Sequence, residues 1–256
     1  MSAALEIESL TVHYGGLRAL TDATLSVESG QVVGLIGPNG AGKTTLTDAV
    51  TGFAAATGHV RLCGEDISDL VPHERARRGL TRTWQAGDVF DELTVRENLA
   101  VAAARPTVAA GVRQLFRADS SALPIVDELL ELLDLAPLAE REPPSLTEGQ
   151  RKLVGVGRAL AASPAVVCLD EPAAGLDSRE SQALGQHLRR IAEGGTGMLL
   201  IDHDMGLVLD VCDHVVVLDF GRVIASGSPD EVRRDPKVVE AYLGRASSEV
   251  AELLDA

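Results

Sequence analysis

The segment that most restricts the fold of this chain is a glycine-rich loop directly after a short apolar run. Its letters fit the pattern G-x-x-x-x-G-K-[ST] and read Gly37-Pro38-Asn39-Gly40-Ala41-Gly42-Lys43-Thr44. The run 32–36 before it is almost wholly apolar, and the residues after it have helical spacing. A strand, this loop and a helix in succession form the context in which the pattern binds phosphate. We therefore predict a nucleoside triphosphate at the end of a buried strand.

The chemistry of the loop explains its residue types. Glycines let the backbone curl so that successive N–H groups face phosphate oxygens, and the helix that follows adds its positive N-terminal end. Lys43 is predicted to reach the β- and γ-phosphates, and the Thr44 hydroxyl to hold Mg²⁺. Thr45, the next residue, belongs to the same predicted ATP-binding segment.

A pair of carboxylates follows a second apolar run. Asp170 and Glu171 come directly after residues 166–169, at the end of a predicted buried strand, where α/β sheets place their ligands. One carboxylate in this position can hold Mg²⁺, and the next can orient an attacking water molecule. We predict the metal role for Asp170 and the catalytic role for Glu171.

The remaining pattern indicates a mostly parallel sheet. Further apolar runs at 198–201 and 215–218 alternate with a helical pattern at 179–193, which is typical of α/β layers. Residues 5–8 alternate between apolar and polar, as strands do, and residues 23–27 do so more weakly. From about residue 90 to 159 helical patterns dominate, including one at 125–135, and we predict a helical subdomain inserted into the α/β core.

Composition and charge narrow the function classes. The 256 residues include 23 Lys and Arg against 38 Asp and Glu, a formal net charge of -15, which argues against general binding to nucleic acid. We see neither a secretion signal nor an apolar run of the length that a membrane span needs. Cys63, Cys168 and Cys212 are predicted to be buried, reduced thiols of a cytoplasmic protein.

Other segments, in chain order, match motifs that occur together in one family. They are Tyr14 before the loop, Gln85 in Arg82-Thr83-Trp84-Gln85, Leu146-Thr147-Glu148-Gly149-Gln150-Arg151, Ala174-Gly175-Leu176-Asp177, and His203 in Ile201-Asp202-His203-Asp204. With these segments the chain resembles the ATP-binding-cassette (ABC) ATPases from about residue 4 to residue 244. The resemblance implies a P-loop NTPase cassette of the α/β class, with an N-terminal antiparallel β part and the inserted helical subdomain.

The resemblance also implies boundaries and roles. A single ABC domain would span 1–244, with its core at 1–89 and 160–244, and a tail would follow at 245–256. Tyr14 would stack on adenine, Gln85 would sense Mg²⁺ and the γ-phosphate and contribute to the metal site, and His203 would contact the γ-phosphate. In a head-to-tail dimer, the partner's ATP would meet the signature segment and the D-loop, namely Thr147, Glu148, Gly149, Gln150 and Asp177.

Within the family, the chain looks most like the ATPase subunits of branched-chain amino-acid-type importers. The segments that carry this likeness are Arg82-Thr83-Trp84-Gln85, Asp170-Glu171-Pro172-Ala173-Ala174-Gly175-Leu176, His203-Asp204-Met205 and the stretch 235–244. Such subunits hydrolyse ATP as pairs, with themselves or a paralogous subunit, at the inner face of the cell membrane. They act beneath two permeases, and an extracytoplasmic solute-binding protein delivers the solute to these permeases.

The signature segment departs from the family pattern, because Thr147 replaces Ser and Glu148 replaces Gly. Ser145 and Glu148 also fit a capping box, S-x-x-E, that would open a helix running through Leu160. Three other functions remain open: an exporter motor such as the lipopolysaccharide-transport type, a soluble ABC ATPase without a transport role, and a small-molecule P-loop kinase.

Overall fold

The computed structural model describes residues 3–83, 89–104 and 124–243. In chain order the first elements are β1 (Ala3–Tyr14), β2 (Leu17–Glu28), β3 (Val32–Ile36), α1 (Lys43–Thr51), β4 (Ala56–Leu62), β5 (Glu65–Asp66), α2 (Pro72–Arg78) and β6 (Leu80–Arg82). They are followed by α3 (Val95–Ala103), α4 (Pro124–Leu132), α5 (Glu148–Leu160), β7 (Val166–Asp170), α6 (Ser178–Glu193), β8 (Gly197–Ile201), α7 (Met205–Val211), β9 (His214–Asp219), β10 (Arg222–Gly227), α8 (Pro229–Arg234) and α9 (Pro236–Leu243).

A six-stranded sheet forms the centre of the fold. Its strand order is β10-β9-β3-β8-β7-β6, and all neighbouring pairs are parallel except β10 with β9. Every residue of β3, β7 and β8 is buried, which explains why these strands read as continuous apolar runs. The predicted α/β class with a mostly parallel core is confirmed.

A second, antiparallel sheet covers one face of the first. Its order is β2-β1-β4-β5, so the predicted antiparallel β part is present. Alternate residues of β3 enter two different cores. Val33 and Leu35 pack with residues of the antiparallel sheet, whereas Val32 and Ile36 pack with residues of the helices. The period of two along a strand thus joins both layers to the central sheet.

The helices α3, α4 and α5 lie between β6 and β7 along the chain, where a helical subdomain was predicted. Two of them approach closely at Gly157 of α5, where a Cβ atom would stand 2.7 Å from a methyl group of Leu99 on α3. The helices predicted at 125–135 and 179–193 are α4 and α6. The domain boundaries themselves stay a prediction, and the tail at 245–256 lies outside the described residues.

Two predictions are corrected. The capping box that opens α5 consists of Thr147 and Gln150, whereas the Ser145 hydroxyl donates to the Glu142 carbonyl at 2.7 Å. Cys63 is exposed, while Cys168 and Cys212 are buried, and burial raises the pKa of each of these two thiols to about 12. Among the described residues, no helix combines the length and the apolar character that a membrane crossing needs.

Candidate active site

The phosphate loop spans the gap between the end of β3 and the start of α1, and its shape depends on glycine. Gly37 has φ 148°, and a Cβ there would stand 2.1 Å from the Leu218 carbonyl oxygen on β9. Gly42 has φ 109°, and a Cβ there would lie 3.0 Å from the Ala19 carbonyl oxygen. Both positions therefore combine a left-handed backbone with a close approach of neighbouring backbone.

The turn between β9 and β10 fixes the loop from outside. The Gly221 N–H donates to the Ala41 carbonyl at 2.8 Å, and the Gly221 carbonyl accepts from the Thr21 N–H of β2 at 2.7 Å. Inside the loop, the Ala41 N–H donates to the Pro38 carbonyl at 3.0 Å. The loop is thus hydrogen-bonded into its curve by the chain's own backbone.

Lys43 and the N-terminus of α1 bring positive charge to the end of the loop. Lys43 Nζ donates to the Gly37 carbonyl at 2.5 Å and the Pro38 carbonyl at 3.3 Å, so the ammonium group lies against the loop. Thr44 and Thr45 stand on the first turn of α1. No side-chain hydrogen bond caps the N-terminus of α1 at Gly42, whereas capping boxes cap the N-termini of α3, α5, α6 and α8. An uncapped helix N-terminus suits an anion.

The predicted carboxylates lie at the same edge of the sheet as the loop. Ile201, the last residue of β8, pairs with Leu35 of β3 on one side and with Asp170 of β7 on the other. Glu171 has φ 48°, and its N–H donates to the Ile201 carbonyl at 2.7 Å. A left-handed conformation is rare in a residue other than glycine and is concentrated at functional sites. The backbone thus holds Glu171 just beyond the strand.

His203 lies two residues after the end of β8, and the buried Asp202 beside it holds this part of the chain by hydrogen bonds. The His203 side chain is 64% exposed. Asp202 is buried and accepts backbone N–H groups from Ala173, His203 and Asp204 at 2.8–3.0 Å. Burial raises the pKa of the Asp202 carboxyl, although these hydrogen bonds act in the opposite direction. Asp202 therefore joins the segments that carry Glu171 and His203, a role that the sequence motif did not reveal.

The signature residues form the start of α5. The Thr147 hydroxyl accepts from the Gln150 N–H at 3.3 Å, and the Gln150 side chain accepts from the Thr147 N–H at 3.0 Å. Glu148, the first residue of the helix, is exposed, and its charge favours that helix end. A Cβ on Gly149 would contact the Glu180 carboxylate at 3.5 Å. The unusual Glu148 is therefore compatible with the helix itself.

Two predicted residues lie at the periphery, and one cannot be placed. Tyr14 ends β1 and is 53% exposed, which leaves its ring available for stacking. Asp177 caps α6, accepting from the N–H groups of Arg179 and Glu180 at 2.9 and 2.8 Å. Gln85 lies outside the described residues.

Comparison with known proteins identifies the family. The profile described as ABC transporter matches residues 20–174. The chain belongs to the ABC transporter family. A second profile, described as branched-chain amino acid ATP-binding cassette transporter, matches residues 222–247 of this ABC ATPase.

Relatives of this ABC ATPase match it over nearly their whole length. The high-affinity branched-chain amino acid transport ATP-binding protein BraF of Pseudomonas aeruginosa is 40% identical over 250 residues, covering 94% of this chain and 98% of BraF. LivG of Escherichia coli K12, which carries the same description, is 36% identical with the same coverage. The lipopolysaccharide export system ATP-binding protein LptB of Haemophilus influenzae is 36% identical over 242 residues, covering 94% and 97%.

Solved structures agree with the fold. The ADP conformation of MJ1267, an ATP-binding cassette of an ABC transporter, superposes with a TM-score of 0.83 at 34% identity, covering 96% of this chain and 100% of that one. A nucleotide-free ATP-binding cassette gives 0.82 at 34%, covering 94% and 99%. The predicted family and fold are confirmed, and the chain is an ABC-type ATPase.

Proposed function

We propose that this ABC ATPase drives the import of branched-chain amino acids by binding and hydrolysing ATP. The observation that carries the solute class is the match of residues 222–247 to the branched-chain amino acid profile. Relatives named for branched-chain amino acid transport, which match over nearly the whole chain, support it. The ATP chemistry is supported by the geometry at the carboxyl edge of the sheet.

Each part of the site has a role in hydrolysis. The N–H groups of the loop and Lys43 hold the phosphates, and Tyr14 stacks on adenine. Glu171 lies beyond the end of β7 and orients or activates the attacking water molecule, while His203 contacts the γ-phosphate from the end of β8. Both residues follow strands that pair directly, so they approach the same phosphate from one edge.

The residues at this edge fit a magnesium ion. The Thr44 hydroxyl and the Asp170 carboxylate are hard oxygen donors, which Mg²⁺ prefers, and Gln85 is the third residue that we assign to it. Among the described residues, no group of three or more His, Cys, Asp and Glu could enclose a metal ion. This agrees with the way Mg²⁺ binds in nucleotide sites, where phosphates and water supply most ligands. When bound, the ion would neutralise phosphate charge.

The signature segment serves a second subunit. Thr147 and Gln150 cap α5 at an exposed helix end, where the positive end of the helix dipole and the Thr147 hydroxyl can meet a phosphate. We assign this contact, together with Asp177, to the ATP of a facing subunit, either a second copy or a paralogous ATPase. Two ATP molecules would then lie between two subunits.

A cavity provides a docking surface for a permease at the inner face of the membrane. Its volume is about 540 Å³, and its walls combine the α/β core with the helices α3 and α5. Phe53, which lines it, is 54% exposed, and Arg158 lines it as well. Through the permeases the ATPase would act on a solute that an extracytoplasmic binding protein delivers.

An exporter motor is the alternative, because LptB shares 36% identity with this chain. The match at 222–247 favours the importer, since the matching profile is described as a branched-chain amino acid ATP-binding cassette transporter.

The test compares the wild-type chain with Lys43→Ala, and Lys237→Ala serves as the matched control because Lys237 is exposed on α9. ATP affinity and hydrolysis are measured on purified protein, and ATP-dependent uptake of labelled leucine in vesicles that contain the permeases and the binding protein. We expect Lys43→Ala to lose ATP binding, ATP hydrolysis and leucine uptake, and Lys237→Ala to keep all three. Unchanged ATP binding by Lys43→Ala would refute the phosphate site. If the wild type hydrolyses ATP but drives no leucine uptake, the proposal that the solute is a branched-chain amino acid is refuted.

A further inference from the structure

A buried arginine joins the two sides of the candidate metal site. Arg82, the last residue of β6, has a side chain that is only 7% exposed. Its Nη2 donates to Asp170 Oδ2 at 2.7 Å, and its Nη1 donates to Asp48 Oδ1 on α1. The Asp170 side chain is 5% exposed and that of Asp48 29%. One guanidinium group therefore connects β7 to the first helix.

The position of Asp48 makes this connection relevant to Thr44. The two residues are four apart on α1, so they lie on the same face of the helix. A guanidinium group is a planar, rigid fork whose two ends hold carboxylates in a fixed relation. Arg82 therefore sets the spacing between the helix face that bears the Thr44 hydroxyl and the Asp170 carboxylate.

Thr83, the residue after Arg82, holds the main chain of Asp170. The Thr83 hydroxyl accepts the Asp170 N–H at 3.1 Å, and the Thr83 N–H donates to the Cys168 carbonyl at 2.9 Å. Both the carboxylate and the main chain of Asp170 are thus bound by the segment of Arg82 and Thr83.

The carboxylates around the Arg82 guanidinium group stabilise its positive charge. Two carboxylates, those of Asp48 and Asp170, accept hydrogen bonds from this guanidinium group. The guanidinium is therefore charged and compensates two carboxylates. Because Arg82 donates to Oδ2 of Asp170, the other carboxylate oxygen, Oδ1, can accept a further partner.

We propose that Arg82 is a positioning residue, which sets the affinity of the site for its metal ion by holding Thr44 and Asp170 at a fixed separation. This inference rests on the proposed function, because it requires that the site binds a metal nucleotide.

The decisive variant is Arg82→Lys, which keeps the charge but cannot bridge two carboxylates with a rigid fork. The full chain is titrated with Mn²⁺ in the presence of ATP, and binding is followed by electron paramagnetic resonance. ATP affinity is measured separately in EDTA. We expect the Mn²⁺ affinity to fall by about tenfold or more, as is usual when a partner of a metal ligand is lost. ATP affinity in EDTA should stay within about twofold, because the phosphate loop is intact.

The matched control is Arg75→Lys. Arg75 is also a buried arginine beside α1, but it donates to four backbone carbonyls, those of Leu70, Ala49, Val50 and Ser68. We expect this variant to lose thermal stability and to keep the Mn²⁺ affinity of the wild type. A second variant, Asp48→Asn, weakens the bridge while retaining Arg82, and we expect an intermediate loss of Mn²⁺ affinity.

The outcomes separate the two proposals. Wild-type Mn²⁺ affinity in both Arg82→Lys and Asp48→Asn would overturn the positioning role and leave the proposed function intact. An equal loss in Arg75→Lys would show that any damage to this helix lowers metal affinity, which also overturns it. If the wild type binds ATP equally well with and without metal, the metal role in the proposed function fails.

Discussion

At the scale of single residues, the phosphate loop needs glycine for two different reasons. At Gly37 a side chain has no space, since a Cβ would lie 2.1 Å from the Leu218 carbonyl. At Gly40 the space is open, with no atom within 4 Å of a Cβ, but φ is 79°. The first position requires glycine because of contact, and the second only because of conformation.

This difference predicts unequal effects of alanine. We expect Gly37→Ala to lower the free energy of unfolding by about 2–4 kcal/mol, because backbone atoms on β9 must move. Gly40→Ala should cost about 1 kcal/mol, the strain of one left-handed residue. Urea unfolding of both variants without nucleotide measures the two values. Equal costs would show that the contact with Leu218 relaxes freely.

At the scale of elements, a turn before α5 determined which residues form the capping box of that helix. Two overlapping patterns precede α5: Ser145 with Glu148, and Thr147 with Gln150. Residues Pro143–Ser145 form a 3₁₀ turn, closed by the Leu146 N–H on the Pro143 carbonyl at 3.0 Å. Ser145 belongs to this turn, so the second pattern forms the box. The sequence carried both patterns, and the prolines before them decided between the two.

A contact between α6 and the chain after α4 involves a buried histidine. Arg190 Nη2 lies 2.7 Å from His187 Nδ1 and 2.8 Å from Asp134 Oδ2. Arg190 has only donors, so in the shorter contact His187 Nδ1 accepts, as the neutral ring can, although the Leu132 carbonyl also lies 3.4 Å from this nitrogen. Burial lowers the pKa of His187, and the charge of Arg190 lowers it further.

The direction of this shift predicts a loss of stability in mild acid. The unfolded chain binds a proton on His187 at a higher pH than the folded chain does, so the free energy of unfolding falls as the pH drops below about 6.5. We expect His187→Gln to reduce this fall, and His13→Gln, at an exposed position, to leave it unchanged. Urea unfolding between about pH 7.5 and 5.5 provides the comparison. The same pH dependence in all three proteins would contradict the assignment.

At the scale of the whole molecule, the predicted site is distributed over two surfaces. The phosphate loop, Glu171 and His203 lie at the carboxyl edge of the central sheet, while Thr147 and Gln150 lie at the exposed start of α5. In the proposed dimer each surface completes the site of the other subunit.

This arrangement predicts a dimer that depends on both surfaces. We expect Glu171→Gln to bind ATP, to hydrolyse it very slowly and to elute as a dimer with ATP, because the sandwich cannot reopen. Adding Thr147→Val should abolish the dimer while the monomer still binds ATP, and Thr147→Ser should preserve it because the hydroxyl remains. Light scattering on these variants gives the mass directly. A dimer in the double variant with Val would argue against a signature contact in trans, and normal turnover by Glu171→Gln would remove its catalytic role.

The roles of individual site residues remain predictions, and Gln85 lies outside the described structure. The parallel sheet, the phosphate loop and the pair Asp170 and Glu171 could be read from the sequence. A buried strand and a loop between strand and helix leave a local pattern, because their spacing depends on neighbouring residues. The short edge strand β6 could not be predicted from the sequence, because three residues, one apolar and two polar, are too few to show the alternation of a strand.

By itself, the sequence determined which chemistry this chain can carry, because glycines, lysine and carboxylates at fixed local spacing specify a triphosphate site. Only the tertiary structure decided how those groups are held. Arg82 meets Asp170 across 88 positions, and Asp202 meets Ala173 across 29. Gly37 must be glycine because of a carbonyl on β9, a strand far away along the chain. Such contacts form between residues whose separation in sequence is unrelated to their distance in space, so no local pattern records them.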